Sequence, residues 1–122
     1  MKEWNVQLTR HAEIDLYGIY EYIASTLLEP VVAWNLIQRI ETRITKLNTM
    51  PQKLAVYPKE PWKSRGLRRV NEGKYAVFYI PTEKNYTVTV IRIVYGGRDI
   101  DHILDETTLD YSSEPDNSGV DD

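Results

Sequence analysis

The chain has no cysteine among its 122 residues. That excludes a disulfide framework, a thiolate zinc site and a cysteine nucleophile. No apolar run approaches the length of a membrane span, and the opening Met-Lys-Glu-Trp-Asn enters an alternating pattern with no apolar leader core. A soluble, cytoplasmic chain is therefore expected. There is also no internal repeat, no glycine-rich phosphate loop, no GxSxG and no HExxH, so the common short catalytic motifs are missing. The two histidines, His11 and His102, stand apart without metal-ligand spacing, and neither a metal nor another cofactor is expected.

Basic residues are missing from one end of the chain. All 15 Lys and Arg lie within residues 1–100 beside 10 acids, giving that part +5, whereas residues 101–122 hold 8 acids and no base, giving −8. The net charge of −3 conceals a basic body with an acidic end, and the body has the charge to meet phosphates or an acidic partner. From Thr107 on the sequence is poor in apolar residues and rich in turn formers, so residues 107–122 read as a disordered tail behind a single domain over 1–106.

Taken in order, Trp4, Val6 and Leu8 alternate with polar residues as in a half-buried strand, and Thr9 fits a helix N-cap. Ala12, Leu16, Ile19, Tyr20, Ile23 and Leu27 form one helical stripe. Pro30 suits the first position of a second helix with the stripe Ala33, Leu36, Ile37, Ile40, Ile44 and Leu47. The short connection makes the two helices an antiparallel hairpin. Residues 51–66 contain Pro51, Pro58 and Pro61 and read as a loop pinned by Tyr57 and Trp62. Leu67–Val70 and Lys74–Ile80 read as strands around an Asn71-Glu72-Gly73 turn, and Pro81–Asn85 turns the chain into the central strand, which starts at Tyr86 and stops at Gly96-Gly97. The expected fold is α+β in the order β-α-α-β-β-β, a mainly antiparallel sheet with the helical hairpin on one face and the other face open to a partner.

From Val90 onward apolar residues fall on both parities, as in a strand covered on both sides, and only Arg92 interrupts them. Gly96 and Gly97 then let the backbone turn sharply or lie close to another chain, which frees Arg98 to project from the sheet edge. Lys63, Arg65, Arg68 and Arg69 precede or lie in the second strand, and Arg92 and Arg98 belong to the last. Adjacent antiparallel strands would gather them into a basic patch, with Arg68, Arg69, Arg92 and Arg98 as its partner-binding members. An ordinary solvated basic surface has the same residue counts.

Four stretches together carry a family likeness: Leu-Thr-Arg-His-Ala-Glu-Ile-Asp-Leu-Tyr-Gly-Ile-Tyr-Glu-Tyr-Ile, Glu-Pro-Trp-Lys-Ser-Arg-Gly-Leu-Arg-Arg-Val, Lys-Tyr-Ala-Val-Phe-Tyr and Val-Ile-Arg-Ile-Val-Tyr-Gly-Gly-Arg-Asp-Ile. In this order, from about Trp4 to about Leu104, the chain resembles the RelE/ParE superfamily of bacterial type II toxins. The resemblance implies a RelE-like fold and a growth-arresting, plasmid-stabilisation type of toxin. It also implies a cognate antitoxin, and a toxin–antitoxin complex that binds its own operator through the antitoxin.

The family divides in mechanism. RelE-like members cleave mRNA on the ribosome with strand-borne basic residues, whereas ParE-like members poison DNA gyrase and have no recognised catalytic residue. By resemblance, Arg98 falls where the nucleases carry an arginine and Arg69 where they carry a strand lysine. Ala76 stands in place of another arginine, and Leu104 in place of a tyrosine. Two missing members of a cooperating set weaken a nuclease, so the reading leans to a gyrase inhibitor that is not an enzyme. An mRNA endonuclease is the alternative, with Arg69, Arg98, Lys63 and Arg65 as its catalytic set and Lys59 as a further loop substitute. A toxin fold that only binds its antitoxin is a third reading.

Overall fold

The computed structural model describes residues 2–113, with side chains through Thr107. Strand β1 (Asn5–Leu8) leads into α1 (Arg10–Glu21), and a wide π-helical turn over Tyr22–Thr26 connects towards α2 (Pro30–Thr45). After a long loop holding the single helical turn α3 (Trp62–Arg65) come β2 (Arg68–Glu72), β3 (Tyr75–Thr82), β4 (Thr87–Tyr95) and a terminal helix α4 (Ile100–Ser113). The sheet order is β1-β4-β3-β2. Strands β2, β3 and β4 pair antiparallel, but β1 lies parallel to β4, from Asn5 opposite Thr87 to Leu8 opposite Val90. The sheet is therefore mixed, and β4 is central over its first half.

Local chemistry explains the helix boundaries. The Thr9 hydroxyl accepts from the Ala12 amide at 3.1 Å, a side-chain N-cap, and Pro30 opens α2 where its missing N–H costs nothing. The expected first stripe is correct as far as Ile23 but fails at Leu27, which is 51% exposed. The extra residue of a π turn rotates the residues beyond it by about 100°, so Ile23 stays buried and Leu27 swings to solvent. The β2–β3 turn falls at Gly73-Lys74, beyond Glu72, with Gly73 at a φ of 58°. Pro81 sits inside β3, past the end of β2, where no neighbour needs its N–H.

Both faces of the sheet are covered. Val77, Tyr79, Val88, Val90 and Ile93 pack on the helical hairpin with Ala12, Ala33, Leu36, Ile40 and Ile44. Ala76, Phe78, Ile80, Ile91 and Val94 pack on the opposite side against Trp62, Leu67, Ile103 and Leu104. The expectation of a free second face is thus overturned by the proline-rich loop and α4. A bulge contributes to the double parity in β4: Tyr79 pairs with Val90 and Phe78 with Arg92, leaving Ile91 extra and inverting the alternation beyond it.

Helix α4 also corrects the order of elements and the start of the tail. Asp99 caps it, its side chain accepting from the His102 amide at 3.3 Å. Ile103, Leu104 and Thr107 then face inward, so Thr107, placed in the tail from composition, is buried and helical. The rest of the expected disordered stretch, residues 114–122, lies outside the described residues.

Trp62 pins the loop, as expected, through its indole N–H to the Leu104 carbonyl at 3.3 Å. Tyr57 stacks edge-on against Phe78, and its hydroxyl donates to Asp101 at 2.7 Å while Lys59 pairs with the same carboxylate. These hydrogen bonds from Lys59 and Tyr57 hold the Asp101 carboxyl below its ordinary range. Burial, then the Asp101 bond and charge, push the Tyr57 phenol from 10.0 up to about 12. A raised phenol pKa stabilises the fold fully below 10.0, and that contribution is lost as pH rises towards 12. Tyr57→Phe should accordingly lower the urea midpoint at neutral pH and flatten its decline between pH 10 and 12, as followed by tryptophan fluorescence.

Candidate functional site

The predicted basic residues divide into those the fold consumes and those it presents. Strand β1 ends opposite Val90, so β4 has an unpaired edge beyond that point, and side chains occupy it. The Thr9 hydroxyl donates to the Ile91 carbonyl at 3.0 Å, and the Asp15 carboxylate accepts the Ile93 amide at 2.9 Å. Arg92 reaches the same carboxylate through Nε at 2.7 Å and Nη2 at 2.9 Å, a two-pronged ion pair, and its Nη1 donates to the Thr107 hydroxyl at 2.7 Å. With the two side chains only 13% and 12% exposed, Arg92 ties α1, β4 and α4 together and is not a free partner-binding group. Arg68 is also turned inward, its guanidinium donating to the Gln52 carbonyl at 2.9 Å and to that of Leu54.

Arg69 and Arg98 remain exposed on either side of the glycine turn. The Gly96 amide donates to the Lys74 carbonyl at 2.7 Å, and a Cβ on Gly96 would lie 3.1 Å from that oxygen and 3.5 Å from an Arg69 nitrogen. On Gly97 a Cβ would come within 2.8 Å of the Tyr95 ring. Gly96 therefore serves close approach within this chain, to the turn before β3, and Gly97 leaves room for the Tyr95 ring. The sharp turn that the sequence suggested is present, and the close neighbours belong to this chain. Arg69, Asn71, Lys74 and Tyr95 line a shallow cleft of about 240 Å³ on one side of the turn. Arg98 stands on the other side, at a groove of about 650 Å³ between α1 and the end of β4, lined by Ile14, Gly18, Tyr22, Tyr95 and Ile103 with Arg92 among its walls. Ile14, Tyr22 and Tyr95 are 59%, 56% and 43% exposed, a concentration of apolar surface the sequence analysis did not single out.

The loop candidates are placed elsewhere. Lys63 is exposed on α3 and Arg65 lies 5.0 Å over the Trp62 ring; neither lines the cleft or the groove. Lys59 is taken up by Asp101. Ala76 and Leu104, 0% and 1% exposed, are parts of the second core. Among the described residues no group of His, Asp and Glu could hold a metal ion, and no helix is long and apolar enough to cross a membrane.

The molecule is thus a small α+β domain with a packed, two-sided sheet and a half-apolar groove rimmed by arginine. Residues 6–100 match the family model described as the ParE toxin of the type II toxin–antitoxin system parDE. The chain belongs to this toxin family. Among solved structures it is similar to the chromosomal ParDE system of P. aeruginosa, at 22% identity and a TM-score of 0.63, covering 76% of this chain and 96% of that one. The RelBE2 toxin–antitoxin complex of Mycobacterium tuberculosis matches at 19% identity and 0.53, over 76% and 98% of the two chains. A mutant of the E. coli toxin RelE in the free state matches at 11% and 0.59, over 88% and 97%. These likenesses bear out the RelE-like fold. No curated protein matches the chain.

Breaking the buried pair should be costly where trimming the rim is not. Asp15→Ala leaves Arg92 and the Ile93 amide unmatched and should destabilise by about 3 kcal/mol, whereas Arg98→Ala should change stability by less than about 0.5 kcal/mol. Paired urea melts of the two variants against the parent check both values.

Proposed function

We propose that this toxin arrests growth by ParE-like inhibition of DNA gyrase, through a complementary surface and without breaking a bond in RNA. The supporting observation is the burial of Ala76 and Leu104, the two positions where resemblance would require an arginine and a tyrosine for mRNA cleavage. Polar groups at the transition state of phosphoryl transfer are worth roughly 10²-fold or more each, and both places are filled by apolar core. Arg68 and Arg92 are engaged inside the fold, which leaves Arg69 and Arg98 as an incomplete set around the glycine turn. The match to the ParE model supports the same target.

The similar ParDE and RelBE2 structures are of toxin–antitoxin systems, and a cognate antitoxin is the neutralising partner inferred here. Its toxin-binding segment should be acidic and amphipathic, to meet both a body charged +5 and the exposed Ile14, Tyr22 and Tyr95. Association should slow and weaken as salt rises.

Induced expression tests the target. Double-strand DNA breaks and filamentation should precede any fall in translation, and Arg98→Ala should relieve arrest while folding normally. Codon-positioned cuts in ribosome-bound mRNA that vanish in Arg69→Ala would instead establish the endonuclease. Unimpaired growth with stable expression would leave antitoxin binding as the chain's whole activity.

A further inference from the structure

Gly18 lies in the middle of α1, where glycine is among the poorest helix formers. Such a residue is normally excused by crowding or by a left-handed backbone, and neither applies. A Cβ at Gly18 would meet nothing within 4 Å, and Gly18 is absent from the positive-φ residues, unlike Gly66 and Gly73. The fold itself would accept alanine there, and would be helped by it.

The space above Gly18 is the groove. Ile14 and Tyr22 flank it one helical turn to either side, both more than half exposed, and Tyr95 forms the opposite wall. At the rim stands Arg98, for whose guanidinium the described residues supply no hydrogen bond or ion pair. Asp15, the acid lining the groove, is already bound to Arg92. Glu21, beside Tyr22, accepts hydrogen bonds from Tyr17 and Ser25. The groove thus offers apolar walls, a floor stripped of its side chain and an unmatched positive charge.

We propose that Gly18 is a contact residue for the antitoxin, the point where an acidic amphipathic helix of that partner crosses α1 at backbone distance and sets a carboxylate against Arg98. The proposal rests on the antitoxin being the partner and adds to it where and how closely that partner lies. Small residues allow two helices to approach closely, and a docking helix fits this groove better than an extended strand, because β4 beyond Val90 already has its edge capped by Thr9 and Asp15. In a two-fold contact between copies through this groove Arg98 would face Arg98, so its positive charge favours an acidic partner over that arrangement.

The test uses the full chain and the purified product of the antitoxin gene adjoining its own, with Gly18→Ala and Gly18→Leu as variants. Gly18→Ala should raise Tm by roughly 4 °C while weakening antitoxin binding roughly 10-fold, and Gly18→Leu should weaken it roughly 100-fold with Tm no lower than the parent's. A variant that is more stable yet binds worse cannot be explained by damage to the fold. Parent and variants binding with equal affinity would overturn the proposal and leave the antitoxin reading standing. A parent that binds no antitoxin would overturn that reading, and the proposal with it. Self-association of the toxin alone that Gly18→Leu abolishes, with antitoxin binding unchanged, would give the groove to a second copy and also overturn it.

Discussion

The fold depends on how the Asp15 carboxylate closes the exposed half of β4. One oxygen accepts the Ile93 amide and both meet the Arg92 guanidinium, so a side chain of α1 stands where β1 has run out. An unpaired central strand would leave buried N–H and C=O groups unmatched, at a cost of about 1–3 kcal/mol each. It would also offer an edge for unwanted pairing. Thr9 performs the same office one step earlier while capping α1, which couples the start of the helix to the end of the strand. Arg92 extends the link to Thr107, whose hydroxyl in turn donates to the Ile103 carbonyl. The helix hairpin, the sheet and the terminal helix thereby share one polar network between two apolar cores.

That arrangement limits which surfaces stay open. With both sheet faces filled, the sheet presents no broad apolar face to a partner, and Tyr95, Arg69 and Arg98 lie exposed at the rim where β4 leaves the sheet. The rim combines a rigid strand end, two glycines that admit close neighbours, and arginines on both sides of the turn. Arg69 and Arg98 face different cavities, so one partner could engage either without meeting the other.

Much of this was legible in the sequence because local chemistry and periodicity agreed: Thr9 as a cap, Pro30 at a helix start, the α2 stripe, the central strand and its glycine exit. Helix α4 left a signal as well. Asp99 precedes Ile100, Ile103, Leu104 and Thr107 at helical spacing, but the acidity of the last residues dominated the reading of composition. The two-sided burial of β4 was visible, yet what covers its second face was not, since a loop with three prolines carries no periodicity to show which way it folds. The fates of Arg68 and Arg92 were beyond a linear reading. Arginine on a strand looks the same whether it faces solvent or a carboxylate 77 residues away, as Arg92 does. The groove was hidden for the same reason: Ile14 and Tyr22 come from α1 and Tyr95 from β4, and only the fold places them together.

The parallel pairing of β1 with β4 has a bearing on biosynthesis. Asn5 waits for Thr87, so the sheet cannot acquire its middle until nearly all of the described chain has been made, and the Gly96–Gly97 turn that sets out Arg69 and Arg98 comes later still. A nascent chain halted just before β4 possesses the two helices and the β2–β3 hairpin but lacks the strand that joins β1 to β3. Neither the Arg69 cleft nor the Arg98 groove can therefore exist in a chain that stops short of β4, and both surfaces appear together once that strand is in place.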